Sequence, residues 1–570
     1  MKGLSFKGRI RFIVVIFLLV AAILLVNLFN LQVINREIYV NEVNSQYIST
    51  SSDVFSRGSI FFSDKDGSLV SAATITSGFK ISVRPDDLTE EAEALYDKLS
   101  PYLTIDKETF IYRVNKKGDP YEEIANRLTK EQADSIKALE IEGLFVHDDN
   151  WRSYPSADVA SHAIGFLAYE GDKLRGQYGL ERFYDSILAR PQNEPHINIF
   201  AEAFSKIKND TSGQGQGDIV TTLEPIVSYT FESELSSAMD KWQADEAGGI
   251  IINPLNGEIY AVAGFPNFDL NNFKNVSDSN IFRNPIVENV FEFGSVIKPI
   301  VMASAIDAGA VTPETSYYDS GSITVDKKII NNFDKKGRGQ VTMQDVLNQS
   351  LNTGMVFAES RLGHSKFKEY IKAFGLGEKT GIDLPNETSG LIKNLLSSPR
   401  DLEYANASFG QGIALSPIEA VRSFSVLANG GNLIKPHLVK AIKYDNFTEE
   451  KIESSFIRQD IIKPETAETI TQMLVKVFDN YDEGDHKFEH YSVAAKTGTA
   501  QIAREEGGGY YEDKHTHSFF GYFPAYEPKF LVFLYLKNPK GVRYASQTLI
   551  PPFVNITKFL LNYYNLPPDR

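Results

Sequence analysis

The pattern of hydrophobic and polar positions changes period several times along the chain, and each change marks a segment. Residues 12 to 26 are apolar without interruption, and Leu28, Phe29, Leu31 and Val33 carry the run to about 20 residues, enough to cross a bilayer. Residues 2 to 11 hold four basic side chains and no acidic one, which keeps this end in the cytoplasm. The pattern predicts a cytoplasmic tail over 1–11, an uncleaved signal anchor over 12–33, and everything after about residue 34 outside the cytoplasmic membrane. A cleaved signal peptide is the alternative. It would have a shorter apolar core ending in a small-x-small site, and Val26-Asn27-Leu28 offers none.

Ile34, Ile38, Val40 and Val43 among polar neighbours predict a short amphipathic stalk. From Phe55 the period shortens: Ser59-Ile60-Phe61-Phe62, an Asp64 to Gly67 turn and Leu69 to Ala73 predict a hairpin. Residues 86 to 145 are charged and helical in spacing, with N-caps expected at Thr89 and Thr129. The turn-rich stretch Asp210 to Asp218 predicts a boundary. Beyond it, Ile219 to Thr222 reads as a strand and residues 225 to 243 as an amphipathic helix. Gly249 to Ile252, an Asn256-Gly257 turn and Glu258 to Ala263 then read as a hairpin. Tyr491 to Ala495 with Thr499 to Ile502, His517 to Phe523 and Phe530 to Leu536 predict closing strands, and Phe553 to Tyr564 a final helix. Strands first, helices between and strands last imply an α/β domain over 219–570 with a mainly antiparallel sheet flanked by helices. An α+β region over 34–218 precedes it.

Composition narrows the class. With 570 residues and 42% hydrophobic content the chain can hold more than one core. Its net charge of -16, carried by a chain whose first residues are basic, argues against a nucleic-acid partner. There is no cysteine, so disulfides and thiolate metal sites are excluded. His515-Thr516-His517 could suggest a metal, but alternating residues ahead of Ser518-Phe519-Phe520 fit a strand, and no carboxylate cluster with ligand spacing accompanies them.

The candidate chemistry centres on Ser295-Val296-Ile297-Lys298, which opens an apolar run expected to form a buried helix stopping near Gly309. A helix starting at or just before Ser295 puts its hydroxyl at the N-terminus and Lys298 on the same face, a nucleophile beside a possible base. Ser-x-x-Lys also occurs at Ser77, Ser205 and Ser365, so any one copy reads equally as an exposed polar pair. Ser295 is singled out by two elements further along the chain: Ser350-Leu351-Asn352, then Lys496-Thr497-Gly498-Thr499. Taken alone, Ser350-Leu351-Asn352 fits a helix-to-helix loop whose residues cap the next helix. A second Lys-Thr-Gly, at Lys379-Thr380-Gly381, fits a loop leaving a helix, whereas the copy at Lys496 fits a strand. On a strand, Lys496 and Gly498 share one face and Thr497 and Thr499 the other, so a local twist is expected if both Lys496 and Thr499 meet a substrate. Lys298 acts as a base only when neutral. Burial, the positive helix end and a nearby cation such as Lys496 would all lower its pKa.

These three elements, in this order, resemble the signature of the penicillin-binding proteins and serine β-lactamases. Arg57-Gly58-x-Ile60, Arg152-x-Tyr154-Pro155 before Gly165, and Gly179-Leu180-Glu181 resemble the N-terminal pedestal of class B penicillin-binding proteins. Ser408-Phe409-Gly410-Gln411-Gly412 followed by Leu415-Ser416-Pro417 resembles a further class B stretch, and the run from Val290 to Ala305 looks closer to division-type than to elongation-type members. Two departures stand out: Phe293 occupies a usual proline position before Gly-Ser, and Tyr544-Ala545-Ser546-Gln547 lacks a Gly pair before the final helix.

The resemblance implies a membrane-bound D,D-transpeptidase. In it Ser295 is the nucleophile, Lys298 the base, and Ser350 the proton relay. Asn352 holds a substrate amide, and the N–H groups of Ser295 and Thr499 form the oxyanion hole. Lys496 and the hydroxyls of Thr497 and Thr499 attract a C-terminal carboxylate, and Gly498 lets an extended peptide pair with the strand edge. No metal or organic cofactor is implied. The implied partners are peptidoglycan stem peptides, β-lactams, a membrane glycan polymerase and other divisome or elongasome proteins. A D,D-carboxypeptidase or β-lactamase-like hydrolase uses the same motifs, and a non-catalytic scaffold of the wall-synthesis complex is a further alternative.

Overall fold

The structure, a computed structural model, describes residues 56–171, 173–190, 215–504 and 507–570. The expected tail, signal anchor and stalk lie outside the described residues, as does Ser205. Among the described residues no helix is long and apolar enough to cross a membrane. The chain folds as two compact units, interleaved in sequence.

The smaller unit covers Ile75–Arg152. Strand Glu122–Leu128 pairs antiparallel with the far half of strand Leu69–Val83, in the register Phe79↔Leu128, and strand Leu144–Ser153 also pairs with Leu69–Val83. Helices Ala92–Leu99, Lys107–Val114 and Lys130–Lys137 cover a core that includes Ile81, Leu95, Phe110, Ile124 and Ile136. Thr129 caps the third helix in a reciprocal box with Gln132. The Thr89 cap is not formed: its helix begins at Ala92 behind Glu91, with no side-chain cap bond.

The larger unit combines Arg57–Thr74, Ser153–Arg190 and the described chain from 215 to 570. Strand Ile60–Ser63 forms the expected hairpin with the near half of Leu69–Val83, and Asp64 Oδ1 accepts from the N–H groups of Asp66 and Ser68 in the turn. Strand Gly217–Thr221 pairs parallel with Ile60–Ser63 and antiparallel with Val439–Tyr444. Arg57 is buried and donates from Nε to Glu181 Oε2 at 2.7 Å, with its Nη1 2.8 Å from Asp185 Oδ1; the Tyr154 hydroxyl reaches Glu181 Oε1 at 3.4 Å. Stretches more than a hundred residues apart thus converge on one ion pair.

The centre of this unit is an antiparallel five-stranded sheet of strands β1 (Glu246–Ile252), β2 (Ile259–Phe265), β3 (Ala494–Ala503), β4 (Tyr510–Phe523) and β5 (Phe530–Lys537), in the order β3-β4-β5-β1-β2. Alternation along the strands splits two cores. Phe519, Phe523, Val532 and Leu534 face helices α1 (Pro225–Trp242) and α7 (Ala545–Tyr563), whereas Phe520, Tyr522, Leu531 and Phe533 face the opposite core. That second face is covered by α2 (Lys298–Asp307), α5 (Pro417–Ala428) and α6 (Pro464–Asp479); α5 is buried along its whole length. Between α2 and α5 lie α3 (Met343–Asn348) and α4 (Asn352–Leu362), with Thr342 and Asp345 forming a capping box at the start of α3. The final helix starts at Ala545, eight residues before Phe553, and runs through Pro551 and Pro552.

Candidate active site

The chain enters the site through Gly294, whose φ of +66° is the left-handed conformation that suits glycine. A 3-10 turn, Gly294–Ile297, carries half-buried Ser295 and leads into α2, which begins at Lys298 with Pro299 in its first turn. The expected helix start is therefore a tight turn followed by an α-helix. The first N–H groups of such a segment lack acceptors within the helix, so the Ser295 N–H is of the kind available to an oxyanion.

Lys298 is fully buried in this wall. Its Nζ donates to the Ser350 carbonyl at 2.7 Å and to Asn352 Oδ1 at 2.8 Å, and lies 3.2 Å from Ser350 Oγ. Burial, and then repulsion from Lys496, hold its pKa well below the ordinary lysine value. The first two oxygens can only accept. A neutral amine satisfies both with its two hydrogens and keeps its lone pair for an incoming proton. Ser350 offers its carbonyl because its backbone is left-handed, with φ of 53°, between α3 and α4.

Lys496 Nζ reaches the same Ser350 Oγ at 3.1 Å, and burial lowers its pKa to about 7. One hydroxyl thus lies between two buried amines. Asn352 is the first residue of α4; its Nδ2 donates to the Asn331 carbonyl at 2.9 Å, which turns Oδ1 toward Lys298 and leaves a second Nδ2 hydrogen for a ligand. Behind it, the buried Asp319 carboxylate accepts from Thr353 Oγ1, Asn332 Nδ2, Gly321 N and Arg338 N, fixing the segment that supplies Asn331. Sequence reading missed this support, since Asp319 and Asn332 are remote from Ser350 along the chain.

The fourth wall is β3, an edge strand of the sheet. Its pairing with β4 is regular from Ala494↔Tyr522 to Gln501↔His515, with no irregularity at Lys496-Thr499, where a local twist was expected if both residues meet a substrate. Lys496 and Gly498 are buried and share the face toward Ser350. Thr499 points the other way, its Oγ1 accepting from Ala545 N at 3.1 Å at the start of α7. A Cβ at Gly498 would run into the Phe293 carbonyl and the Ser518 hydroxyl, so only glycine lets the nucleophile turn approach β3 this closely. Phe293, in the usual proline position, buries its ring against Phe533 at 5.0 Å, and its carbonyl accepts from Ser518 Oγ at 2.7 Å.

A further residue missed in the sequence, Tyr481, follows α6. The Thr497 N–H donates to its hydroxyl at 2.9 Å, and the Thr497 carbonyl accepts from Lys496 Nζ at 3.1 Å. Both backbone groups of Thr497 therefore point away from β4. With a period of two, the N–H of Thr499 lies on the same open edge, and its carbonyl is close to Gly294 of the Ser295 turn.

Of the other motifs, Lys379-Thr380-Gly381 lies in the loop after helix His364–Ala373, with Thr380 tied to Glu387. Ser77 lies in strand Leu69–Val83 of the smaller unit and Ser365 in helix His364–Ala373. The Ser408 to Gly412 stretch packs behind the nucleophile turn, with Gly410 against the Gly294 carbonyl, and Leu415 exchanges backbone hydrogen bonds with Phe291.

Residues 247–557 match the penicillin binding protein transpeptidase domain and residues 53–197 the penicillin-binding protein dimerisation domain. Stage V sporulation protein D of Bacillus subtilis is 32% identical over 485 residues, covering 83% of this chain and 74% of that protein. The probable peptidoglycan D,D-transpeptidase PenA of Neisseria gonorrhoeae is 26% identical over 583 residues, covering 100% of this chain and 95% of its own length. The crystal structure of penicillin binding protein 2X from Streptococcus thermophilus shares the fold, with a TM-score of 0.71 at 20% identity over 90% of this chain and 80% of that one. By these matches, and by a nucleophile turn, a serine between two lysines and an open strand edge brought to one place, the chain belongs to the class B penicillin-binding proteins.

Proposed function

We propose that this chain is a membrane-anchored D,D-transpeptidase that cross-links peptidoglycan stem peptides. The observation that carries the reading is the Ser350 hydroxyl held between the buried amines of Lys298 and Lys496. Ser295 Oγ attacks the carbonyl of the D-Ala-D-Ala bond while its proton passes to neutral Lys298. The oxyanion is held by the N–H groups of Ser295 and Thr499, and Lys496 with Thr497 draws in the terminal carboxylate. The tetrahedral adduct collapses, the C–N bond breaks, and the departing D-Ala amine takes the proton from Lys298 by way of Ser350. An amine on a neighbouring stem then attacks the Ser295 ester. Its proton returns through Lys298 to Ser295 Oγ as the ester bond breaks. β-Lactams acylate the same serine.

The relatives support the acceptor assignment, PenA of Neisseria gonorrhoeae being named as a probable peptidoglycan D,D-transpeptidase and a Buchnera aphidicola relative as the peptidoglycan D,D-transpeptidase FtsI. The domain plan is a tail over 1–11, a single-pass anchor over 12–33, stalk and pedestal over 34–218, and the transpeptidase domain over 219–570 outside the cytoplasm. A membrane glycan polymerase supplies the polymer, and the setting is the division complex.

The test is mass spectrometry of peptides after exposure to a labelled penicillin. Label is expected on Ser295 alone, with Ser365→Ala still labelled and turnover of Ser295→Ala reduced at least about a thousandfold. Label on Ser77, Ser205 or Ser365 overturns the site. Release of D-Ala without peptide dimers, when a polymerase is making glycan, favours the hydrolase.

A further inference from the structure

The open edge of β3 poses a register problem that the known motifs do not solve. An extended donor pairs with an edge strand through every second residue, so slipping it by two residues restores the same faces and the same kind of hydrogen bonds. A donor on β3 therefore has two equivalent berths, one centred on Thr499 and one on Thr497. Only the first brings the scissile carbonyl to the N–H of Thr499 beside the Ser295 turn, the turn whose Gly294 packs against the Thr499 carbonyl.

In this chain the second berth is already filled. The Thr497 N–H is taken by the Tyr481 hydroxyl at 2.9 Å, which also donates to Thr497 Oγ1 at 3.3 Å, and the Thr497 carbonyl is taken by Lys496 Nζ at 3.1 Å. The Tyr481 ring is set edge-on against Phe478 at 6.0 Å, at the end of α6. Among the described residues no side chain bonds to the N–H or carbonyl of Thr499, whose Oγ1 is turned to Ala545.

We propose that Tyr481 is a register-setting residue for the acyl donor: it closes the strand edge at Thr497, so that an extended stem peptide pairs only from Thr499 onward. The inference rests on the transpeptidase reading and adds to it how the donor is kept from binding two residues out of place. Tyr481 acts through Thr497 and positions the substrate; it takes no part in the bond changes.

The test uses the purified full chain and two D-Ala-D-Ala donors, a pentapeptide and a short N-acylated dipeptide, with Tyr481→Phe, which keeps the ring on Phe478 and removes only the hydroxyl. With the edge at Thr497 opened, the long donor gains a non-productive berth. Its kcat and KM should then fall together by about two- to tenfold, the worth of one ordinary hydrogen bond, and the effect should shrink with the short donor. A rise in KM at constant kcat, equal effects on both donors, or no change with the long donor each overturns the proposal. Tyr481→Trp, which refills the edge without offering an acceptor, should return kcat and KM of the long donor toward the parent values, and failure to do so also counts against it. If the parent protein forms no acyl-enzyme with either donor, the function itself fails, a result distinct from all of these.

Discussion

Lys496 is the residue whose charge is most open to adjustment. Burial brings its pKa to about 7, so the ammonium proposed to attract a donor carboxylate is present below that pH and disappears above it. For an anionic donor kcat/KM should therefore decline above pH 7, by up to about tenfold per pH unit, while a donor with its carboxylate amidated should lack this limb. Steady-state rates between pH 6 and 9 check this, and identical profiles for the two donors would refute it. Lys298, Ser350, Asn352 and Lys496, which the structure brings together, could be picked out because each motif holds particular side chains at short spacings. The supports could not. Asp319, Asn332 and Tyr481 act through backbone groups or second partners 13 to 34 residues away in sequence, and no local spacing reveals which carbonyl a buried amide will meet.

Among the elements, β3 and the nucleophile turn depend on one missing methyl group. Gly498→Ala forces the turn away from the strand because the Phe293 carbonyl and Ser518 hydroxyl occupy that space. Acylation by penicillin should fall about a hundredfold, as for an ångström-scale misplacement of reacting groups, with the fold retained by circular dichroism. A variant that acylates at the parent rate would show that the close approach is dispensable. The helix expected over residues 225 to 243 was readable from its amphipathic period, and the chain forms it as α1. The start of α7 was not, because Pro551-Pro552 reads locally as a break, whereas Leu549, Ile550 and Phe553 bury against the sheet and hold the helix together through it. Thr89 misled in the opposite sense, a good capping residue that the chain leaves unused.

For the whole molecule, stability carries a pH dependence set by buried carboxyls. Glu232 on α1 accepts from the Ala160 N–H at 2.7 Å, and burial raises its pKa to about 8. A raised carboxyl contributes stability that is full below the unfolded value near 4.5 and is lost as pH climbs through 8. Glu232→Gln keeps an acceptor oxygen and removes the titration. Its thermal midpoint should exceed the parent's by about 2 °C or more at pH 8, with a smaller gap at pH 5, and a constant gap would exclude Glu232 as the source. An antiparallel sheet flanked by helices could be read from patterning because strand and helix periods survive in sequence; the interleaving of the two units could not, since it depends on contacts such as Arg57 with Glu181 that span more than a hundred residues. The exposed margin of β3 has one more consequence, for the company the protein keeps. An unpaired strand edge welcomes any extended chain, including the same edge of another copy, and most proteins blunt such edges. A cross-linking enzyme has to leave one open, so the shorter its open length, the less it invites self-association. Occupying Thr497 from within confines that risk to a few residues, and makes crowding among copies easier to bear.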